Sequence, residues 1–217
     1  MIRGAIFDFD GTLFDSMHVW DEAPARLLRS LGRTPQDDLA RTLAPMSMQE
    51  GARYLKKAYA LPLSEQEIQD GVNRCAAQAY RNEILPKPGA AQFVHQLCQV
   101  GVSCCIATVT AEPLVLAALS RCGMTSLFCG VVSCRQYGKE NPDVYLRACR
   151  LLQTACAQTL VFEDTRFALQ TAKDAGFIPI AVYDAHEQNQ PALRALSRIY
   201  LEDFSSFETF WTHALRL

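Results

Sequence analysis

The sequence predicts an α/β protein: a doubly wound parallel sheet that carries an inserted helical domain. Short apolar runs of strand length alternate with amphipathic segments of helix length over most of the 217 residues. Repeated strand–helix–strand units favour a parallel sheet that is covered on both faces. One long stretch, residues 15–85, breaks the alternation because it contains helical patterns and no convincing strand.

Five apolar runs are predicted as strands of the sheet, and a sixth lies near the end of the chain. They show little alternation with polar residues, as expected for strands that are buried on both faces. The predicted strands are residues 4–7, 103–109, 129–132, 159–162, 178–183 and 199–201.

The segments between these strands have apolar residues three or four positions apart, which predicts helices with one buried side. Gly101, Gly123 and Gly176 stand where a glycine commonly ends a helix. The predicted core helices are residues 88–100, 112–122, 141–152 and 166–175, with one more helix expected on either side of the last strand.

The pattern of the inserted stretch predicts several helices separated by glycine and proline. Breaks fall at residues 32–35, at Pro45 and at residues 61–62, and the stretch ends at Pro86-Lys87-Pro88-Gly89. Prolines at that point resist helix and indicate a linker or hinge. We therefore predict a core domain of residues 1–14 and 86–217 and a helical domain of residues 15–85.

Composition excludes several classes of function. The chain has 21 Lys and Arg against 23 Asp and Glu, a net charge of −2, and its basic residues do not cluster in runs. Nucleic acid is therefore a poor candidate ligand. Apolar stretches such as residues 100–109 are too short to span a bilayer, so no membrane partner is expected.

The start of the chain and its cysteines bear on the compartment. Residues 1–7 enter a strand pattern without the layout of a signal peptide, so we predict a cytoplasmic protein. Nine cysteines include no Cys-x-x-Cys pair, and several lie in apolar runs, which predicts free and mostly buried thiols. The sequence carries no signal for an oligomeric state.

The strongest local signal is Asp8-Phe9-Asp10-Gly11-Thr12-Leu13, directly after the first predicted strand. Residues two apart in an extended chain point the same way, so Asp8 and Asp10 can face one site. Two neighbouring carboxylates repel each other unless a cation or a shared proton intervenes, and a pair of hard oxygen ligands suits magnesium. Gly11 permits a tight turn at the exit of the strand.

Three further polar groups fall at or just beyond the carboxyl ends of predicted strands, where open α/β sheets bind ligands. Thr108 ends one strand, and its hydroxyl can hold a phosphoryl oxygen. Lys139 follows another, and its ammonium can neutralise phosphate charge. Glu163 and Asp164 place two more carboxylates at the end of a buried strand, where a cation would offset the cost of burying charge.

With these four motifs the sequence resembles the haloacid dehalogenase superfamily of phosphotransferases, in its β-phosphoglucomutase-like branch. The resemblance covers nearly the whole chain and includes the longer strings from Gly138 to Tyr145 and from Glu163 to Gly176. It implies a Rossmann-like core, and it implies that the helical insertion is a cap domain of the first type.

Family membership also implies a reaction. Asp8 would attack phosphorus to form an aspartyl-phosphate, while Asp10 would protonate the leaving alcohol and later activate water. Mg²⁺ would be held by the Asp8 carboxylate, the backbone carbonyl of Asp10 and Asp164, with Glu163 a direct or water-mediated partner. Thr108 and Lys139 would bind the phosphoryl oxygens. The resemblance thus implies a phosphatase acting on a small soluble phosphate monoester. Sugar phosphates are the commonest substrates of the branch.

Alternatives remain open at this point. A phosphomutase of the β-phosphoglucomutase type would be expected to carry a cap histidine where this chain has Trp20. Phosphonatase and dehalogenase relatives lack an aspartate at the position of Asp10, which argues against both of these reactions. From a different class, a phospho-accepting signalling receiver needs no cap and about half this length, and a non-catalytic regulatory protein on the same fold is not excluded by any residue.

Overall fold

The structure is a computed structural model that describes residues 1–134 and 138–217. It divides into two compact units, which we name the core unit (Met1–Asp15 with Leu85–Leu217) and the helical unit (Ser16–Ile84). Among the described residues, no helix combines the length and the apolar character that crossing a membrane requires.

The strands all belong to the core unit. They are β1 (Gly4–Phe7), β2 (Phe14–Asp15), β3 (Leu85–Pro86), β4 (Ser103–Thr108), β5 (Val131–Ser133), β6 (Thr159–Glu163), β7 (Ile178–Val182) and β8 (Ile199–Leu201).

The first four helices form the helical unit, and the rest belong to the core unit. They are α1 (Met17–Ser30), α2 (Leu39–Leu43), α3 (Met48–Ala58), α4 (Glu65–Asn82), α5 (Ala90–Gln99), α6 (Glu112–Arg121), α7 (Asp143–Leu152), α8 (Arg166–Asp174), α9 (Gln190–Leu196) and α10 (Phe207–Ala214).

Six strands form one parallel sheet in the order β5-β4-β1-β6-β7-β8. The chain builds outward from β1 through β4 to β5, and then continues on the other side of β1 through β6, β7 and β8. This confirms the predicted doubly wound α/β fold. The direction of winding reverses at β1, and the carboxyl ends of the strands next to such a reversal are where open sheets bind ligands.

Both faces of the sheet are buried, and successive residues of β1 face opposite sides, as strand geometry requires. Ile6 belongs to a cluster with Val161 and with residues of α7 and α8. Phe7 instead stacks on Phe162 with ring centres 4.2 Å apart, and Phe162 contacts the rings of Phe93 and Phe210 from α5 and α10. Because aromatic side chains bury much apolar area, the contact between Phe162 and Phe210 fixes α10 to the face of the sheet on which Phe7 lies.

The exit from β1 is a tight turn that depends on glycine. Gly11 has φ +74°, a left-handed conformation that glycine adopts without steric cost. The amide of Gly11 donates to the carbonyl of Phe14, and the amide of Phe14 donates to the carbonyl of Phe9. The turn therefore places Asp10 beside Phe14, the first residue of β2.

The helical unit is built from amphipathic helices with clear start signals. Ser47 and Ser64 precede α3 and α4, and each forms a reciprocal capping box with a glutamate three residues later. A Cβ atom at Gly71 of α4 would lie 2.7 Å from a methyl carbon of Leu27 of α1. Glycine at this position therefore allows the two helices to approach closely.

Some predicted details differ from the structure. The pair β2–β3 is antiparallel and was not predicted, because two residues per strand give no readable pattern. β5 begins at Val131 and not at Cys129, and Cys129 is exposed in the connection that precedes the strand. All nine cysteines lie among the described residues and are free, as expected, but only four of them are buried.

Candidate active site

The polar groups singled out in the sequence lie at the carboxyl ends of neighbouring parallel strands. Asp8 follows β1, Thr108 ends β4, Glu163 ends β6, and Asp164 comes directly after β6. Because β4 and β6 pair with β1 on either side, their last residues flank Asp8 at one rim of the sheet. Lys139 reaches the same rim from the connection after β5.

Lys139 holds two of the acids together. Its Nζ lies 2.5 Å from Asp8 Oδ1 and 2.7 Å from Glu163 Oε1, and its side chain is only 4% exposed. Burial by itself would lower the pKa of Lys139, but attraction to the Asp8 and Glu163 carboxylates outweighs it and raises the pKa. Lys139 is therefore the charged partner of a buried acidic cluster, and not a solvated surface lysine.

Three carboxyl groups converge beside this lysine. Oxygen atoms of Asp8, Glu163 and Asp164 all lie within 4.8 Å of one another, and all three residues are buried. Burial raises the pKa of Glu163 to about 7. Burial, followed by repulsion from Asp8 and Glu163, also raises the pKa of Asp164. In the part of the chain that the structure describes, the single ammonium group of Lys139 thus does not balance the charge of the cluster.

This donor set fits a magnesium ion. Glu163 Oε2 is buried and has no hydrogen-bond partner among the described residues, whereas Oε1 accepts from two donors. An unpartnered buried carboxylate oxygen is costly, and a hard cation with oxygen ligands would satisfy it. The excess of acidic groups over Lys139 indicates the same kind of ion.

Asp10 belongs to a second group at the rim. Its Oδ2 accepts a hydrogen bond of 2.5 Å from the hydroxyl of Thr110, and the amide of Thr110 donates to Thr108 Oγ1 at 3.0 Å. Thr108 is fully buried. Because its hydroxyl oxygen already accepts one bond, its proton remains available for an oxygen acceptor. The structure therefore links Asp10 and Thr108 through a residue between them.

Three residues that the sequence analysis did not single out contact the predicted ones. Thr12 donates to Asp164 Oδ1 at 2.8 Å, Tyr145 donates to Glu163 Oε1 at 2.7 Å, and Thr110 donates to Asp10. A second hydroxyl two residues after Thr108 was a readable signal for Thr110. Tyr145 carried no such signal, because an aromatic residue on the apolar side of a helix is usually part of the core.

The chain is similar to known proteins over most of its length. The profile of the haloacid dehalogenase-like hydrolase family matches residues 5–182. A validoxylamine A 7′-phosphate phosphatase of Streptomyces hygroscopicus subsp. limoneus is 29% identical over 215 residues, which cover 98% of both chains. A phosphorylated carbohydrates phosphatase of Thermotoga maritima is 26% identical over 177 residues, 81% of this chain and 82% of that protein.

The fold is also shared with solved structures. The crystal structure of a β-phosphoglucomutase-like protein from Thermotoga maritima has a TM-score of 0.86 and 22% sequence identity, and the match covers 97% of this chain and 99% of that one. At this identity the likeness establishes the fold and carries no information about the substrate.

Proposed function

This chain belongs to the haloacid dehalogenase-like hydrolases, and on that premise we propose that it is a magnesium-dependent phosphatase of small phosphate monoesters. The observation that carries the proposal is the buried cluster in which Lys139 contacts both Asp8 and Glu163 while Asp164 lies beside them. Relatives of similar length are named as phosphatases of validoxylamine A 7′-phosphate and of phosphorylated carbohydrates, which supports the same reaction and a small substrate.

Asp8 is the nucleophile of the proposed reaction. One of its carboxylate oxygens attacks phosphorus, the bond between phosphorus and the ester oxygen breaks, and the phosphoryl group remains on Asp8 as an acyl phosphate. The Lys139 ammonium that contacts Asp8 Oδ1 is placed to offset negative charge on the transferred group. The buried hydroxyl of Thr108 is the second donor for its oxygen atoms.

Asp10 moves the protons. In the first step its carboxylic acid donates a proton to the leaving alcohol, and in the second the carboxylate accepts a proton from the water that attacks the aspartyl-phosphate. Hydrolysis then restores Asp8 and releases inorganic phosphate. The hydrogen bond from Thr110 to Oδ2 of Asp10 helps to fix the orientation of the Asp10 carboxyl group.

The proposed magnesium ligands are the Asp8 carboxylate, the backbone carbonyl of Asp10 and Asp164, with Glu163 bound directly or through water. When bound, the ion supplies positive charge that orients the phosphoryl group and stabilises its transfer. We further propose that the helical unit serves as the cap domain of the enzyme.

A phosphate-release screen tests this function. Sugar phosphates, nucleoside monophosphates and phosphoglycolate are each offered with Mg²⁺ and with chelator, and we expect release of inorganic phosphate from at least one ester only when the metal is present. Thermal unfolding gives an independent reading: Mg²⁺ should raise the melting temperature of the wild type but not of Asp164→Asn. A folded protein that releases no phosphate from any ester and gains no stability with Mg²⁺ would contradict the proposal.

The products of the same screen decide between hydrolase and mutase. Replacement of the expected cap histidine by Trp20 favours hydrolysis. If glucose 1-phosphate were converted to glucose 6-phosphate without free phosphate, the phosphomutase assignment would replace the one proposed here.

Thr110→Val is expected to lower kcat by about tenfold to a hundredfold with little change in KM. A hydrogen bond to a charged group contributes about 1.5–3 kcal/mol, and here it holds the general acid and base. Thr110→Ser keeps the hydroxyl and should restore most of the activity. Steady-state kinetics of the two variants check this, and equal loss in both would show that Thr110 acts through packing and not through its hydroxyl.

A further inference from the structure

Tyr145 carries a buried hydroxyl for which the proposed reaction has no use. The residue lies in the first turn of α7 and is fully buried. It belongs to the cluster that contains Ile6 and Val161 of the sheet, and its ring contacts that of Phe177 with ring centres 6.1 Å apart. Packing around the ring therefore fixes the place of the hydroxyl.

The hydroxyl of Tyr145 contacts Glu163 at one defined oxygen. It donates to Oε1 at 2.7 Å, and the carbonyl of Ala168, at 3.4 Å, is the more distant acceptor. Burial, together with the nearby Glu163 carboxylate, raises the pKa of Tyr145 above its usual value. The hydroxyl therefore keeps its proton and acts as a donor towards the Glu163 carboxylate.

Two donors saturate Glu163 Oε1. Lys139 Nζ lies 2.7 Å from this oxygen, in addition to the hydroxyl of Tyr145. A carboxylate oxygen has two lone pairs, so both are occupied, and the Lys139 ammonium would also repel a metal ion there. Glu163 Oε2 is buried and has no hydrogen-bond partner within residues 1–134 and 138–217, so it is the oxygen with lone pairs to offer.

We propose that Tyr145 is a positioning residue that holds Glu163 so that Oε2 alone is offered to the divalent ion. The inference deepens the proposed function, since it rests on Glu163 taking part in the metal site. Lys139 by itself is a weaker restraint, because its ammonium is shared with Asp8 and, under the proposed function, with the transferred phosphoryl group. Partners of this kind orient the ligands of a metal ion.

Tyr145→Phe removes the hydroxyl and keeps the packed ring. Isothermal titration of the metal-free protein should show the dissociation constant for Mg²⁺ rising about tenfold to a hundredfold, the range for losing such a partner. Tyr200→Phe is the matched control: the hydroxyl of Tyr200 donates to Gln190 Oε1 at 2.7 Å in the same unit, but Tyr200 belongs to β8. The control should bind Mg²⁺ as the wild type does. Equal affinity in Tyr145→Phe and wild type would overturn the inference.

A double-mutant cycle separates this role from a general loss of packing. In the Glu163→Gln background, removal of the Tyr145 hydroxyl should weaken Mg²⁺ binding little further, because both changes act through the same carboxylate. If the two losses simply add, Tyr145 acts through the fold and not through Glu163, and the inference is rejected.

Ca²⁺ gives a second reading of the same variant. Ca²⁺ accepts a carboxylate through one or both oxygens, whereas Mg²⁺ demands near-ideal octahedral geometry. Tyr145→Phe frees one lone pair of Glu163 Oε1, so the affinity for Ca²⁺ should fall less than the affinity for Mg²⁺. A defect of packing alone would weaken both ions alike, and that result would contradict the inference.

A crystal structure of the wild type grown with Mg²⁺ tests the geometry without any variant, so it is decisive even if Tyr145→Phe does not fold. Glu163 should meet the ion through Oε2, directly or through one water, while Tyr145 stays within hydrogen-bond distance of Oε1. Binding through Oε1, or through both oxygens, would overturn the inference.

These measurements need no substrate, so the two proposals fail separately. A protein that binds Mg²⁺ but hydrolyses no ester contradicts the proposed phosphatase, and its Mg²⁺ affinities still decide the role of Tyr145. An active enzyme whose Mg²⁺ affinity is unchanged in Tyr145→Phe contradicts the inference alone. A wild type that binds no Mg²⁺ overturns both.

Discussion

Asp8→Asn is expected to abolish phosphate release, with a loss in kcat of about 10⁴-fold or more, the scale associated with removing a covalent nucleophile. The amide is nearly the same shape as the carboxylate but is a poor nucleophile for phosphorus. Because Asp8 lies in a cluster with more acidic groups than Lys139 balances, its neutralisation should not destabilise the metal-free protein. Lys139 also keeps its contact with Glu163.

Two measurements show whether this loss is chemical. Mass spectrometry after mixing with p-nitrophenyl phosphate, whose leaving group needs no proton, should detect a phosphorylated enzyme in Asp10→Asn, in which hydrolysis of the intermediate is slowed, and none in Asp8→Asn. Excess Mg²⁺ should not rescue Asp8→Asn, which excludes weakened metal binding as the cause. The exposed control Asp38→Asn should behave as wild type. Appreciable turnover by Asp8→Asn would reject covalent catalysis by this residue.

Lys139→Met is expected to be the most destabilising single change at the site, and it should also lower kcat by about 10²- to 10³-fold. In the metal-free protein it removes the ammonium that contacts both Asp8 and Glu163, and breaking a buried ion pair from one side costs about 3–5 kcal/mol. Urea unfolding in the presence of chelator measures the loss in the free energy of unfolding.

The pH dependence of this loss has a defined sign. The pKa of Glu163 is raised by burial to about 7 in the folded protein, above its usual value of 4.5. The folded state therefore holds this proton more tightly than the unfolded state, and the contribution of Glu163 to stability falls as pH rises from about 4.5 to about 7. Lys139 opposes the raised pKa, so without it the fall is deeper and extends to higher pH.

The deficit of Lys139→Met relative to wild type should therefore be larger at pH 8 than at pH 5 in chelator, and Mg²⁺ should reduce it at pH 8. Lys173→Met removes an exposed charge from α8 and is the control for loss of charge alone. A deficit that is the same at both pH values, or one that Lys173→Met reproduces, would show that the buried acids are not what Lys139 stabilises.

The fold was accessible from the sequence because its signals are local. The apolar runs of β1, β4 and β6 and the three-to-four spacing of α7 and α8 each lie within a dozen residues. Glycine in the left-handed conformation ends helices at Gly101, Gly123 and Gly176, with φ of +83°, +68° and +84°. The pair β2–β3 escaped prediction because four residues give no period to read.

The candidate site was accessible for a different reason. In a parallel sheet every strand ends at the same rim, so an acidic pair after β1 and another at β6 must come close once the strand order is known. The shared direction of the strands therefore predicts that the acidic residues at their ends meet at one site, even though Asp8 and Glu163 are separated by 155 positions in the sequence.

By itself the sequence determined the class of fold, the rim at which polar residues collect and the identity of the residues that end the strands, since these follow from local pattern and from the direction of the chain. Tertiary structure alone decided which oxygen meets which donor. Thr110 donates to Asp10 across 100 positions, Tyr145 donates to Glu163 Oε1, and Glu163 Oε2 has no hydrogen-bond partner within residues 1–134 and 138–217. Such contacts depend on how helices and loops pack against the sheet to within about one ångström, and no periodicity in the chain records distances of that size.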